Sequence, residues 1–165
     1  MLIYGGASLL IFLFLLGPLR ARMLRRLDRL APGGVAFTVA NRRAFTDPLS
    51  LAAVGTELGE TAATMTSGPG VTADNFGISF WDRTPYMYLG TLDWDRIQSI
   101  TVRDWQTSLP RLSSTAVVLD VAVGRATIVL PLLSPNGSTR MFSSRREGEH
   151  LAAQLEQLRA AALAA

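Results

Sequence analysis

Few residues in this chain are of the types that perform chemistry, and their spacing is not that of an active site. His150 is the only histidine, no metal-ligand spacing surrounds it, and no partner that would orient it as a general base is visible. We therefore interpret His150 as a surface residue of the last helix. The chain has no cysteine, which excludes disulfide bonds and thiolate metal sites.

Three aspartates lie close together in the sequence and raise the possibility of paired carboxylates or a cation site. Asp93, Asp95 and Asp104 flank Trp94 and a predicted strand, however, and no acidic fourth ligand follows at the spacing of a calcium loop. A solvated turn is the favoured interpretation. We accordingly predict no enzyme activity, no catalytic residues, no metal site, no cofactor and no small-molecule substrate.

Other motifs are better explained by structure than by ligand binding. The glycines of Gly68-Pro69-Gly70 and Gly124 are typical of turns and do not form a phosphate-binding loop. Asn136-Gly137-Ser138 matches a glycosylation sequon, but it falls in a predicted hairpin turn on the cytosolic side. The tryptophans at positions 81, 94 and 105 could stack on a ligand, although at strand positions they are more often core or sheet-face residues.

The strongest candidate for a binding surface is a cluster of five arginines within residues 20–30, which contain only one acid. One interpretation is a helix lying on an anionic membrane leaflet, where each arginine contributes about 1 kcal/mol. The other is that these residues only set membrane topology, and positive flanks are common enough to favour it. The membrane-surface candidates are Arg20, Arg22, Arg25, Arg26 and Arg29.

Charge elsewhere in the chain is close to balanced. Outside residues 20–30 there are eleven arginines and twelve acids, so the high isoelectric point belongs to one segment only. Binding of nucleic acid requires clustered positive charge on the folded domain. We therefore predict no nucleic-acid partner.

The segment before the arginines predicts a membrane anchor. Residues 2–19 carry no ionisable side chain and as a helix would extend about 27 Å, close to the hydrocarbon thickness of a bilayer. The arginines that follow predict a single-pass plasma-membrane protein with its N-terminus outside and its C-terminal domain in the cytoplasm. A cleaved signal peptide is disfavoured, because no positive residue precedes the apolar run and no Ala-x-Ala step follows it.

The remaining 146 residues suffice for one domain of ordinary size. Leu19, Met23, Leu27 and Leu30 give an apolar stripe that predicts a basic juxtamembrane helix over residues 20–32. Residues 33–69 predict a short strand at 35–39 and a short helix from Asp47 to about Leu58, with an uncertain domain boundary.

From residue 70 the alternation of apolar and polar residues predicts an antiparallel meander of about seven short strands. One helix then closes the domain. Ser144 and Glu147 have the spacing of a capping box, and an apolar stripe follows on the same segment. A helix with one apolar stripe and a sheet with an open face complete each other. The stripe consists of Leu151, Leu155, Leu158 and Ala162, and the predicted strands lie at 71–73, 77–81, 86–92, 97–105, 116–123, 126–133 and 139–142.

Residues 71–80 (VTADNFGISF) and 90–100 (GTLDWDRIQSI) resemble the bacterial pleckstrin-homology (PH)-like domains found on small membrane proteins. The resemblance covers residues 70–163 and implies an antiparallel β-sandwich or barrel of about seven strands, capped by a C-terminal amphipathic helix. It also implies a binding or scaffolding module, since this fold seldom hosts catalysis. The turn at 74–76 lacks the basic residues that bind phosphoinositides in eukaryotic PH domains, so that lipid site is not implied here.

The sequence as a whole predicts an α+β protein with a transmembrane helix at residues 1–19 and a PH-like domain at residues 70–163. The expected function is that of a membrane-tethered interaction or scaffolding module, acting as an accessory or adaptor protein. The alternative is a sensor of anionic lipids that uses the juxtamembrane arginines. The expected partners are the lipid bilayer and a protein or membrane complex.

Overall fold

A computed structural model describes residues 21–39, 70–81, 88–106, 113–122, 126–134 and 143–165. Residues 21–30 form helix α1. Within the described ranges, seven strands and a C-terminal helix follow, with a 3-10 turn, Trp94–Arg96, between the fourth and fifth strands. The strands are β1 (Val35–Thr38), β2 (Gly70–Ala73), β3 (Gly77–Trp81), β4 (Tyr88–Asp93), β5 (Ile97–Gln106), β6 (Ser113–Val121) and β7 (Ala126–Pro131), and the last helix is α2 (Arg145–Ala164).

The strands form two antiparallel sheets. The first has the order β1-β2-β3-β4 and the second the order β5-β6-β7. The two sheets meet at one corner, where Val39 forms an isolated bridge with Leu132 and the Leu133 N–H donates to the Thr38 carbonyl over 3.0 Å. This corner fixes the position of β1 relative to the end of β7.

The core lies between the two sheets and is closed by α2. Side chains from both inner faces are fully or nearly fully buried, among them Val71, Phe80, Leu92, Leu119 and Ile128. The alternation that predicted the strands therefore corresponds to one face turned toward a shared core.

The C-terminal helix begins where the capping box predicts. The Glu147 N–H donates to Ser144 Oγ over 3.4 Å, and the Ser144 N–H donates to Glu147 Oε2 over 2.6 Å. Leu151 and Leu155 are buried, and Leu158 and Ala162 pack against the same core. The predicted cap and apolar stripe are both confirmed.

The turn between β2 and β3 is held by its own side chains. The Phe76 N–H donates to Asp74 Oδ1 over 2.8 Å, and the Trp94 indole N–H donates to the Asp74 carbonyl over 2.7 Å. Gly77 has a φ of +155°, and a Cβ at this position would collide with the Leu92 carbonyl. Only glycine satisfies both conditions, so the turn and the start of β3 depend on it.

The apolar stripe of α1 packs on the protein rather than standing free. Met23 and Leu27 are 2% and 0% exposed, and a Cβ at Gly70 would lie 2.5 Å from Met23 Cε and 2.7 Å from Leu27 Cδ1. Because Val71 and Ala73 point into the core, Gly70 and Thr72 lie on the opposite, outer face of the first sheet. Helix α1 therefore covers part of that outer face, and the folded unit includes residues that precede position 70.

The membrane architecture predicted from the sequence is corrected. The proposed anchor, residues 1–19, lies outside the described residues. Across the part of the chain that is described, no helix is both long enough and apolar enough to cross a membrane. Helix α1 is ten residues long there, and α2 carries charged residues along its twenty. The transmembrane fold class, the membrane keywords and the single-pass plasma-membrane location are thus not supported.

Several strand predictions differ in detail. Strand β4 is described from Tyr88, and β6 begins at Ser113, before the predicted start at Ala116. Residues 47–58, predicted as a short helix, and residues 139–142, predicted as a strand, lie outside the described residues. The seven observed strands include β1, which pairs with β2 along its whole length.

Candidate functional site

Among the described residues, a groove lies between strand β1 and helix α2, here called the β1–α2 groove. Its cavity volume is about 180 Å³, and it is partly open to solvent. The residues that line it are Leu24, Val35, Ala36, Phe37, Thr38, Leu132, Leu133, Ser143, Glu147, His150, Leu151 and Gln154.

One wall of the groove is a stripe on α2. Glu147, His150, Leu151 and Gln154 recur at i, i+3, i+4 and i+7, which places them on one helix face. Gly148 brings this part of α2 close to β6, because a Cβ there would collide with Thr115 Cγ2. The same close approach holds the wall of the groove in position.

The opposite wall is strand β1, which is an edge strand of its sheet. The Thr38 carbonyl accepts a hydrogen bond from the Leu133 N–H, so the backbone groups of Thr38 point away from β2. In an antiparallel pair, alternate residues point the same way. The N–H and C=O of Ala36 therefore also point away from β2, at the open edge that lines the groove.

A buried hydroxyl in the same wall has no partner. Thr38 is 4% exposed, and no group among the described residues hydrogen-bonds to its Oγ1. Leaving a buried hydroxyl unsatisfied is unfavourable by about 1–3 kcal/mol. Thr38 pairs with Gly70, so its side chain lies on the outer face of the first sheet that α1 covers, and a molecule in the groove does not reach this hydroxyl.

The remaining polar side chains of the groove differ in whether they already have a hydrogen-bond partner. The Glu147 carboxylate is engaged by the N–H and Oγ of Ser144. His150 is exposed and Gln154 is half-buried, and the side chains of both are without a hydrogen-bond partner among the described residues. The groove thus offers one imidazole and one carboxamide on the α2 side, and the backbone groups of Ala36 on the β1 side.

The predicted membrane-surface arginines lie on one face of α1. Arg20 lies outside the described residues, whereas the other four are exposed and recur at i, i+3, i+4 and i+7. They project on the side opposite Met23 and Leu27, which are buried. This arginine stripe consists of Arg22, Arg25, Arg26 and Arg29.

The three aspartates do not form a site. Asp93, Asp95 and Asp104 are all exposed, and Asp104 lies 3.7 Å from Arg145 in an exposed ion pair. No three potential ligands of the histidine, aspartate and glutamate types come together within the described ranges. His150 lies on the rim of the groove instead, apart from these acids.

A polar cluster on the outer face of the first sheet is fully occupied by its own contacts. The Trp81 indole N–H donates to Thr72 Oγ1 over 2.9 Å, and Thr91 Oγ1 lies 2.6 Å from Ser79 Oγ and 2.7 Å from the Tyr88 hydroxyl oxygen. The Trp81 and Tyr88 rings meet edge to face with centroids 5.3 Å apart. Because these groups satisfy one another, we assign the cluster to sheet stability rather than to ligand binding.

The ionisation of Asp120 is perturbed by its neighbours. The Ser99 hydroxyl donates to its carboxylate over 2.6 Å and lowers the pKa of Asp120, partly opposed by burial. The Thr127 hydroxyl and the charge of Arg103 lower this pKa further. Asp120 lies on β6 and is not a lining residue of the β1–α2 groove.

Sequence analysis did not identify Ala36 as functional. The pattern at 35–39 indicates a short strand, but it does not show that the strand is an edge or that a helix faces it.

No protein-family profile matches this chain, and no curated protein matches its sequence at a significant level. The structure shows two packed antiparallel sheets with a C-terminal helix. The resemblance to PH-like domains remains a prediction from the sequence.

Proposed function

We propose that this protein is a non-catalytic interaction module that binds a polypeptide segment of a partner in the β1–α2 groove. The proposal rests on one observation: at the β1 edge of this groove, the N–H and C=O of Ala36 have no hydrogen-bond partner among the described residues. A groove with a few convergent polar groups among apolar side chains is the usual form of a binding site. The role agrees with that implied by the PH resemblance.

The side chains in the groove favour binding over catalysis. Half of its lining residues are leucine, valine or phenylalanine, and its one imidazole has no acid or nucleophile hydrogen-bonded to it among the described residues. Acid–base or nucleophilic catalysis requires such a pair within hydrogen-bonding reach. The groove supplies shape and backbone hydrogen-bonding capacity instead.

The test is selection of binders from a phage-displayed library of random peptides on the full-length chain. Each selected peptide is then synthesised and its affinity measured by fluorescence anisotropy. Gln154→Trp should fill the groove and weaken binding by about tenfold or more, which corresponds to about 1.4 kcal/mol.

Ala153→Trp is the matched control, since Ala153 is the adjacent exposed residue on α2 and does not line the groove. It should bind the selected peptides as the unsubstituted chain does. Equal affinity of the two tryptophan variants, or a library that yields no binder, would contradict the proposal.

A second candidate function is binding to an anionic lipid surface through the arginine stripe. The observation that favours it is the exposure of all four side chains on one face of α1. Since the apolar face of α1 is buried on the sheet, the attraction would be electrostatic, without insertion of that face.

Vesicles of phosphatidylcholine, with and without phosphatidylserine, separate this candidate from the first. Binding by the stripe should require phosphatidylserine, weaken as salt is added, and fall with Arg25→Glu plus Arg26→Glu. Binding that is independent of both salt and these substitutions would exclude the stripe as a lipid site.

A further inference from the structure

Three elements come together at one end of the first sheet. Helix α1 ends at residue 30, and the chain then returns so closely that a Cβ at Gly34 would collide with the Ala73 carbonyl. The β2–β3 turn begins directly after Ala73, and Gly77 on its far side pairs with Asp93, the last residue of β4. The end of α1, this turn and the end of β4 therefore share one end of the sheet, here called the turn end.

The turn end carries opposite charges on its two sides. On α1, the four arginines of the arginine stripe stand against one acid, Asp28, which leaves a net charge of +3. On the other side three aspartates stand against Arg96, which leaves −2. Of the stripe, Arg22, Arg25 and Arg29 form no ion pair with another described residue, and the same holds for the three aspartates. The aspartates are Asp74, Asp93 and Asp95.

Two large apolar side chains are exposed at the same end. Phe76 in the turn is 83% exposed, and Leu30 at the end of α1 is 47% exposed. The hydrogen bonds that Asp74 accepts from the Phe76 N–H and the Trp94 indole hold the turn, so presenting Phe76 to a partner requires little further ordering. Apolar and aromatic side chains within a charged border are the usual composition of a protein interface.

The second copy of this chain is the partner whose chemistry fits this end. We infer that the turn end is the interface of a symmetric dimer, in which the arginine stripe of each copy faces the aspartates of the other. A two-fold axis presents the same surface of both copies to each other, so a surface of one charge sign would repel itself. The turn end carries both signs in similar amounts and therefore complements its own copy.

The inference is independent of the proposed function, because none of the residues that carry it lines the β1–α2 groove. Peptides selected for the groove should therefore bind every variant named below as they bind the unsubstituted chain. Loss of the dimer with peptide binding unchanged would confirm that the two surfaces are separate.

The main test is sedimentation equilibrium of the full-length chain with two charge reversals. Arg25→Asp plus Arg29→Asp makes both sides of the turn end acidic, whereas Asp93→Arg plus Asp95→Arg makes both sides basic. Each variant alone should dimerise at least tenfold more weakly than the unsubstituted chain. An equimolar mixture of the two should restore the dimer, because each side again faces the opposite charge.

Arg103→Asp is the control for charge, since Arg103 is an exposed arginine of β5 in the second sheet. It should dimerise as the unsubstituted chain does. Circular dichroism establishes that each variant is folded. If folded charge-reversal variants fail to restore the dimer on mixing, or if Arg103→Asp weakens it equally, the inference is wrong.

The apolar part of the interface is tested with two exposed leucines. Leu30→Ser should weaken the dimer about tenfold, and Phe76→Ser should weaken it at least as much. Leu163→Ser is the matched control, because Leu163 is 56% exposed near the end of α2 and lies outside the turn end. Equal effects of the two leucine substitutions would refute an apolar contact at Leu30.

The unsubstituted chain gives the most direct outcome. Its dimer should weaken as salt is added, since exposed charges carry part of the contact. A chain that stays monomeric up to about 1 mM would overturn the inference. Should that monomer bind phosphatidylserine vesicles through the arginine stripe, the stripe is a lipid site instead, as in the second candidate function.

Discussion

At the scale of single residues, two glycines differ in how strongly the local fold depends on them. Gly77 combines a left-handed backbone angle with a close approach to the Leu92 carbonyl. Gly33 also has a positive φ, of +82°, but nothing lies within 4 Å of the position its Cβ would occupy. Substitutions at the two positions therefore distinguish the energetic effect of backbone strain, present at both, from that of steric collision, present only at Gly77.

Gly77→Ala should lower the free energy of unfolding by about 2–3 kcal/mol, because it adds a collision to the backbone strain. Gly33→Ala should lower it by about 1 kcal/mol through strain alone. Urea denaturation measures both values. A smaller loss for Gly77→Ala than for Gly33→Ala would show that the β2–β3 turn can relax.

The cap of α2 gives a second prediction for a single residue. Ser144→Ala removes the side-chain oxygen that accepts from the Glu147 N–H and should lower the free energy of unfolding by about 1 kcal/mol. Glu147→Gln keeps an acceptor for the Ser144 N–H and should change it far less. Thermal denaturation compares them, and equal losses would contradict the reciprocal cap.

The hydrogen bond between Ser99 and Asp120 predicts a dependence on pH. The folded-state pKa of Asp120 is depressed, so its contribution to stability is present above the unfolded-state pKa and is lost as pH falls through the folded-state pKa. Ser99→Ala removes the largest cause and should raise the pKa of Asp120. Carbon-13 NMR titration of the carboxylate measures the shift, and an unchanged midpoint would show that Ser99 is not the cause.

At the scale of elements, the sequence predicts what is encoded locally and misses what depends on distant neighbours. The capping box of α2 and the alternation in β3 and β5 involve residues a few positions apart, and the structure has them. The pairing of β1 with β2 joins segments more than thirty residues apart, and no local pattern reveals it. The groove could not be predicted for the same reason, because its two walls, β1 and α2, are far apart in the sequence.

Helix α1 shows why a periodic pattern is ambiguous. The stripe that includes Met23 and Leu27 predicts a buried face but does not say whether lipid or protein covers it. The structure has it covered by the outer face of the first sheet. The four described candidate arginines are exposed on α1, while the surroundings of their helix differ from the prediction.

The docking of α1 is testable with two leucines of one helix. Leu27→Ala should lower the free energy of unfolding by about 2–4 kcal/mol, since Leu27 is fully buried against the sheet. Leu30→Ala should have little effect, because Leu30 is 47% exposed. Urea denaturation of the full chain provides both values. Equal effects would show that α1 does not pack on the sheet in solution.

At the scale of the whole molecule, one core joins both sheets and the last helix. The buried cluster contains Val71 and Phe80 from the first sheet, Leu119 and Ile128 from the second, and Leu155 from α2. Elements that share a core of this kind unfold together. The molecule is thus expected to behave as one cooperative unit.

This cooperativity can be measured with two probes of different structure. Far-ultraviolet circular dichroism follows helices and sheets. Tryptophan fluorescence follows the surroundings of the three tryptophans, of which Trp94 is buried beside the β2–β3 turn. The two urea transitions should coincide, and Leu155→Ala should move both together. Separate midpoints would show that the sheets unfold independently.

Gly70 has no side chain, and this limits which residues can replace it and its neighbours. Because the side-chain ends of Met23 and Leu27 occupy the space of its Cβ, a larger residue at position 70 requires one of these two side chains to shift or to become smaller. Substitutions at positions 23, 27 and 70 should therefore be correlated among descendants of this chain. A larger residue at position 70 without such a change should weaken the packing of α1 on the first sheet.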